Sequence, residues 1–499
     1  MKAIVVLADT LRRDFLSIYE STPVKTPNLE RLQKRSVTFD QHWAGSLPCM
    51  PARRDMLTGR LNFLERNWGP IEPFDETLPK ILEKNGVFSH IVTDHYHYFE
   101  TGGENYYQSF TTWDFIRGQE LDPWVSRVSD QELPDHIGRY PKQYYLNKSK
   151  FVEEKDFTTP KTIQSAVNWL EENQHADDYL MWVEVFDPHE PFDVPKEYLN
   201  LYADDYDGPC YLWPEYKRKT EVSSKALKHL SNRYAGLVTM VDNWIGKLLD
   251  TMDRFNMWED TMVIFTTDHG TLLGEHDFLG KNYMPMYNEI SHIPLMVHLP
   301  GGKHTGKRIQ ALTQNTDILP TILDFFGIKK EDCRNPIHGK SWWPLINDES
   351  DKLRDFAIFG CYGKNVNITD GKFTYFRAAA NDGNFPLNLY TSMPTTLKQS
   401  FNSDLIKDLK KIEAGRFLKW TEYPVFKIPS NEISISDVSQ RFSQRGEHIG
   451  ENMLFDLEKD YKQNKPIKDL MLEKKYIEML SRALTESDAP EEQFIRLGI

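Results

Sequence analysis

The sequence predicts an α/β fold: a mostly parallel central sheet flanked by helices, followed by a smaller C-terminal α+β domain. Three observations carry that expectation. Short β-rich runs alternate with amphipathic stretches, the pattern of strand–helix units in a parallel sheet. Four of those runs end on an aspartate, as "VVLAD", "HIVTD", "VEVFD" and "IFTTD". After about residue 350 the texture changes to period-two alternation with tight-turn pairs, which predicts antiparallel hairpins.

In chain order, the first strand is Lys2 to Ala8, ending at Asp9. Thr26-Pro27 places a capping residue before a proline at the first helical position. "TLPKILEKNG" puts Leu78, Ile81 and Leu82 on one helical face, with Gly86 as the stop. Val87 to Thr93 is the next strand and ends at Asp94. Thr159-Pro160 opens a helix with Ile163, Val167 and Leu170 at helical spacing. Tyr179 to Phe186 is a strand ending at Asp187, a helix covers about Ser223 to Arg254, and Thr261 to Thr267 is a strand ending at Asp268. "FAIFGCYGKNVNITDGKFTYFR" carries turn signals at Tyr362-Gly363 and Asp370-Gly371. The expected division is a catalytic α/β domain over 1–350 and the smaller antiparallel-sheet domain over 351–499. The aromatic, proline-containing stretch from Asp187 to about Thr220 reads as a structured loop over a site.

A chain of 499 residues with 39% apolar and 13% aromatic residues builds a large core. Its net charge of -14 disfavours nucleic acid and anionic membrane as partners, since both require a basic surface. No stretch approaches a membrane span, and the apolar run Ala3 to Ala8 is too short for a signal peptide, so the expected location is the cytoplasm. Cys49, Cys210, Cys333 and Cys361 show no C-x-x-C spacing, which argues against a zinc ribbon or a redox pair.

In parallel sheets, ligands bind beyond the carboxyl ends of the strands. Asp9, Asp94, Asp187 and Asp268 are therefore expected along one edge, each weighed against a plain capping role. "SLPCMPARRDMLTGR" places Cys49 between Pro48 and Pro51 with Arg53 four residues on. A helix starting near Pro51 would put Cys49 at its N-terminus, where free N–H groups favour negative charge, and Arg53 would offer paired donors to an oxyanion.

These residues resemble the type I, formylglycine-dependent sulfatases of the alkaline phosphatase-like superfamily. C-x-P-x-R is matched by Cys49, Pro51 and Arg53, and the family's "LTGR" follows at Leu57 to Arg60. Asp9 matches the N-terminal metal aspartate, and "TTDHGTLLGEHDFLGK" the second metal segment. "DPHEPF" resembles the His-containing substrate segment, and "TDHYHYFE" stands where the family has a Lys-x-His pair. "HGKSWWPLI" and "MLFDLEKDYKQNK" resemble late family segments. The chain departs from the pattern at Thr10, where many members carry a second aspartate, at His95, which replaces the lysine, and at His269, where many have asparagine.

The resemblance implies a sulfuric ester hydrolase acting on a small sulfated substrate, with a sulfated sugar as the expected class. Cys49 would be converted to formylglycine by a formylglycine-generating or sulfatase-maturating enzyme. Cys49, Arg53, His97, His189 and Lys281 would be catalytic, and Arg53, His95, His189 and Lys281 would contact substrate. Asp9, Asp268, His269 and Cys49 as formylglycine would hold one divalent metal, with Thr10 at a further ligand position. The metal is Ca2+ by resemblance, with Mn2+ as the alternative that an imidazole ligand raises. In this reading His189 protonates the departing alcohol and His97 acts as the base that releases sulfate. The departures keep a phosphonate monoester hydrolase or phosphodiesterase open as the alternative. His276 is read as structural, and the loop aromatics Phe192, Tyr198, Tyr202, Tyr206, Tyr211 and Trp213 either stack on a leaving group or pin the loop to the core.

Overall fold

The structure is a computed structural model and describes residues 1–202, 204–219, 222–282, 284–381, 383–397, 409–430 and 451–499. Thr220, the end assigned to the site loop, lies outside the described residues. The main sheet comprises β1 (Lys2–Ala8), β2 (Val37–Phe39), β3 (Phe88–Thr93), β4 (Thr112–Phe115), β5 (Tyr179–Val185), β6 (Thr261–Thr266), β7 (Leu295–His298) and β8 (Arg308–Ile309). Their spatial order is β8-β2-β7-β6-β1-β5-β3-β4. Within it β7 runs antiparallel to both its neighbours, and the other pairings are parallel.

All of β1 is buried, as a strand covered on both faces must be. Its side chains alternate between two layers. Ile4, Val6 and Ala8 pack with helices α1 (Pro27–Gln33), α4 (Thr158–Glu172) and α5 (Ser224–Arg254). Ala3, Val5 and Leu7 pack with α2 (Cys49–Thr58), α3 (Leu78–Lys84) and α6 (Ile318–Phe325). Each fully buried Leu, Ile or Val contributes about 1.5–3 kcal/mol relative to exposure, so these two layers hold the sheet.

Helix starts and stops follow local chemistry. Pro27 opens α1, and Gly86, at φ +78°, follows α3. Ser223 caps α5 by accepting from the N–H of Ala226. The helix expected from Thr159 begins one residue earlier, because Pro160 is tolerated anywhere in a first turn. Two strands stop one residue short of expectation for identifiable reasons. The N–H of Phe186 goes to the Asp94 carboxylate at 2.7 Å. Beyond β6, Thr267 Oγ1 accepts from the N–H of Leu11.

The register aligns the strand ends. Ala8 stands beside Val185, Leu7 beside Thr266, and Thr93 beside Glu184. Asp9, Asp94, Asp187 and Asp268 therefore lie along one edge of the sheet.

After residue 350, β9 (Ala357–Cys361), β10 (Val366–Thr369), β11 (Phe373–Arg377) and β12 (Met453–Asp456) form consecutive antiparallel pairs. Gly363 and Gly371, at the expected turns, both have positive φ. The sheet also takes the short strand Ser46–Leu47, which pairs in parallel with Gly360 and Cys361 of β9. Helices α7 (Leu470–Glu486) and α8 (Glu491–Leu497) contribute to the core that packs on it.

Candidate active site

The pocket begins where β1 turns. Thr10 sits at φ +62°, a strained conformation for a β-branched residue, and such strain persists where neighbours over-determine it. Its N–H donates to Asp268 Oδ1 at 3.0 Å, its hydroxyl to Asp9 Oδ1 at 2.6 Å, and its carbonyl accepts from Tyr234. Lys281 Nζ donates to the same hydroxyl at 2.9 Å. Thr10 thus ties Asp9, Asp268 and Lys281 together through hydrogen bonds rather than supplying a carboxylate.

Helix α2 begins at Cys49, one turn before Arg53. The Arg53 guanidinium is fully buried and spans three carboxylates. Nη1 donates to Asp268 Oδ2 at 2.6 Å, Nη2 to Asp9 Oδ2 at 2.7 Å, and Nε to Glu184. The sequence offered Arg53 as a donor to an incoming anion, whereas here all three nitrogens hold protein carboxylates. The cause is Glu184, a charged residue within the buried strand β5, itself bonded by the Tyr98 hydroxyl at 2.9 Å. Burial pushes the Glu184 carboxyl up, against the pull of Arg53.

Asp9, Cys49, Asp268 and His269 are all buried, and their potential ligand atoms lie within 4.8 Å of one another. His269 Nδ1 meets the carbonyl of Gly270 at 2.9 Å. A carbonyl only accepts, so Nδ1 carries the proton and Nε2 keeps its lone pair. That Nε2 lies 3.2 Å from Cys49 Sγ and 3.3 Å from Asp268 Oδ2. Burial holds His269 below the usual imidazole value, partly offset by Asp268, which keeps the ring neutral as a ligand must be. The pocket's carboxylates, Asp9, Asp268, Glu184 and Glu190, outnumber its cations, Arg53 and Lys281, by two. One divalent cation would balance that excess, and two carboxylates, an imidazole and the residue 49 side chain suit it.

Burial would raise the Asp9 carboxyl, but Arg53, His189 and Lys281 outweigh it and hold Asp9 well below the carboxylate range. Cys49 goes the other way: burial, reinforced by Asp9 and Asp268, pushes its thiol well above the usual value. Burial, with those two anions adding to it, overrides the preference for negative charge expected at the helix N-terminus. Lys281 Nζ also faces Glu190 Oε2 at 3.4 Å. The residue before it must be glycine: Gly280 has φ +102°, and a Cβ there would lie 2.4 Å from the Tyr216 ring, whose hydroxyl donates to Glu190.

The histidines form the outer wall. His95 is buried 3.7 Å from Asp9 Oδ2, and neither ring nitrogen has a hydrogen-bond partner among the described residues. Burial, with Arg53 and His97 nearby, holds it well below the usual imidazole value. His97 has Nδ1 at 2.5 Å from Glu100 Oε1 and Nε2 at 3.2 Å from Glu120 Oε2. Both ring nitrogens therefore face carboxylates, which differs from the base assigned to it from the sequence. His189 Nδ1 meets the carbonyl of Glu190 at 2.5 Å and must donate to it, leaving Nε2 for other work.

Asp94 and Asp187 do not join the metal group. They accept from the Phe186 N–H, the Gln119 amide and the Thr159 hydroxyl, a structural role that ties neighbouring segments together and differs from the helix or turn cap weighed from the sequence. His276 stacks on Tyr287 at 3.7 Å. Phe192, Tyr198, Tyr211 and Trp213 are buried, the Tyr202 hydroxyl bonds Thr239, and that of Tyr206 bonds the Pro209 carbonyl, so these aromatics pin the loop. Glu184, Glu190 and Glu120 escaped the sequence reading. Glu184 had a signal, a charge in the otherwise apolar "YLMWVEV"; Glu190 stood unassigned inside "DPHEPF".

A family model, Sulfatase, matches residues 2–328. An arylsulfatase of Clostridium perfringens is 21% identical over 450 residues, covering 81% of this chain and 91% of its own. An N-acetylglucosamine-6-O-sulfatase of Bacteroides thetaiotaomicron is 22% identical over 433 residues, covering 72% and 73%. The phosphonate monoester hydrolase of Agrobacterium radiobacter superposes with a TM-score of 0.67 at 18% identity, over 99% of this chain and 96% of that one. This chain belongs to the sulfatase family of sulfuric ester hydrolases, on the alkaline phosphatase-like α/β fold.

Proposed function

We propose that this protein hydrolyses a sulfate monoester on a carbohydrate, with formylglycine made from Cys49 and one divalent metal. The observation that carries the reading is the convergence of Asp9, Cys49 and the adjacent pair Asp268-His269, from three places in the sequence, on one buried group. The raised thiol supports it too: an unmodified Cys49, held protonated, is a poor nucleophile. The carbohydrate assignment draws on the N-acetylglucosamine-6-O-sulfatase among the relatives. Ca2+ is the proposed metal and Mn2+ the alternative, given the His269 ligand.

Asp9, Asp268, His269 and residue 49 would hold the metal, which supplies Lewis-acid polarisation of a sulfuryl oxygen. Formylglycine, when hydrated, supplies one hydroxyl to attack sulfur and a second to expel sulfate. Around these groups the chain's own residues do the positioning. Arg53 holds the Asp9 and Asp268 carboxylates in fixed directions. Lys281, anchored by Thr10, places a buried positive charge beside the transferring group. His189, its Nδ1 fixed on the Glu190 carbonyl, presents Nε2 to protonate the departing sugar oxygen.

The test has two parts. Mass spectrometry of the Cys49 peptide should show a species about 18 Da lighter than the thiol form. The purified protein should then release sulfate from a panel of sulfated monosaccharides. A fully active enzyme with intact thiol would sink the formylglycine assignment.

A second reading, hydrolysis of phosphonate monoesters or phosphate diesters, is favoured by Thr10 and His269 at positions where many sulfatases carry Asp and Asn. Sulfate monoesters and phosphate diesters each carry one negative charge, so the pocket does not separate them by charge. Comparing kcat/KM on matched aryl sulfate and aryl phosphonate esters decides between them.

A further inference from the structure

The loop between β4 and the helix at Lys142–Lys148 delivers one buried carboxylate to the histidine wall. Glu120 is 6% exposed and has a positive φ of 41°. Its loop is stapled at both ends. Asp122 accepts from the Gly118 N–H and the Arg117 side chain, and Gln119 donates to Thr158. So held, Glu120 Oε2 stands 3.2 Å from His97 Nε2, while Oε1 stands 3.6 Å from His189 Nδ1. One carboxylate therefore reaches both histidines, an oxygen to each.

We propose that Glu120 is a positioning residue that couples His97 to His189, fixing His97 as a doubly protonated cation between Glu100 and Glu120 and supporting the proton on His189. A ring whose two nitrogens each face a carboxylate must donate from both to satisfy them. On this assignment His97 contributes a fixed positive charge to the wall and does not shuttle a proton. The charged and titratable groups around the carboxylate are His97 and Tyr96 on the preceding turn, His189 and Glu190 on the site loop, and Arg139; Glu100 faces His97 from its far side. Against burial, the His97 hydrogen bond and the charges of His189, His97 and Arg139 hold the Glu120 carboxyl down at about 2. Glu120 is thus ionised throughout the neutral range.

The catalytic part of this inference rests on His189 as the acid of the proposed hydrolysis; the protonation of His97 does not. The experiment therefore has an arm independent of turnover. Imidazole 15N NMR at neutral pH, with His97 identified by comparison with His97→Asn, should show both nitrogens protonated in the wild type. In Glu120→Gln, Nε2 should lose its proton while Nδ1 keeps its bond to Glu100. Unchanged His97 shifts in Glu120→Gln overturn the proposal. The kinetic arm uses whichever ester the wild type cleaves. Removing the anion destabilises a protonated acid, so the alkaline limb of kcat/KM in Glu120→Gln should move down by about one pH unit. Glu100→Gln, which removes the carboxylate on the far side of His97, should leave that limb in place. Equal limb shifts in the two variants overturn the coupling to His189. Because both variants keep side-chain volume, unfolding curves near that of the wild type show that the shifts report charge and not collapse.

Discussion

Around Cys49, charge is delivered by strand ends and one helix turn; around His97 and His189, it is delivered by loops. Asp9 and Asp268 follow β1 and β6, Glu184 lies in β5, and Arg53 sits one turn into α2. The inner groups hold one another through fixed ion pairs. In the outer wall, Glu120 and His189 come from irregular backbone and His97 from a single 3-10 turn, and their contacts depend on which nitrogen carries a proton. The difference teaches a division of labour: the sheet fixes where the charge is, and the loops fix where the protons are.

The sharpest way to break that comparison is at the nucleophile. Cys49→Ala removes the one inner residue that reacts, and should cut kcat by about 10^4-fold or more, in a sulfate-release assay, with an unfolding curve close to wild type. Next in size is Arg53→Met, which strands three buried carboxylates. It should cost about 3–5 kcal/mol in urea unfolding with chelator present, and added Ca2+ should recover part of the loss. An unfolding midpoint that neither falls nor responds to Ca2+ would show that the inner cluster is not held by charge pairing.

Asp94 and Asp187 probe the sheet edge away from the chemistry. Burial raises Asp187 to about 7, and burial with the Asp187 charge raises Asp94 to about 8. Folded values above the ordinary 3.8 mean that this contribution is complete below about 3.8 and is lost as pH rises through about 7 to 8. Asp187→Asn should therefore gain on wild type between about pH 4 and pH 8, by on the order of 2 kcal/mol in denaturant unfolding. The smallest effect is expected at His276, which stacks on Tyr287 and faces Glu289. His276→Ala should cost about 1 kcal/mol of stability and change kcat/KM less than about twofold, which separates a nearby histidine from the working ones.

The inner pocket was legible in the sequence because its residues follow strands with clear apolar runs, and parallel strands aim their carboxyl ends at one edge. That ground placed Asp9 and Asp268 at one edge, together with Asp94 and Asp187; Cys49 and His269 joined them through the resemblance of their motifs to the sulfatases. Glu184 was not, because a strand's apolar character hides which of its residues faces a buried arginine. The same blindness gave Arg53 to the substrate when the fold gives it to three carboxylates. Glu120 left the weakest trace: it sits in a loop with no periodicity, and its reach to two histidines depends on a left-handed backbone that the sequence does not announce. His97 was found, but its role depended on partners three and twenty-three residues further on, Glu100 and Glu120.

Ser46 and Leu47, one proline before Cys49, form a strand against β9, a segment more than three hundred positions later in the chain. During synthesis this neighbour does not yet exist when residue 49 leaves the ribosome. In the folded protein Cys49 is 2% exposed. The order of translation therefore produces residue 49 long before the segment that pairs with the strand in front of it, and the approach to Cys49 takes its final register only when the second sheet is assembled.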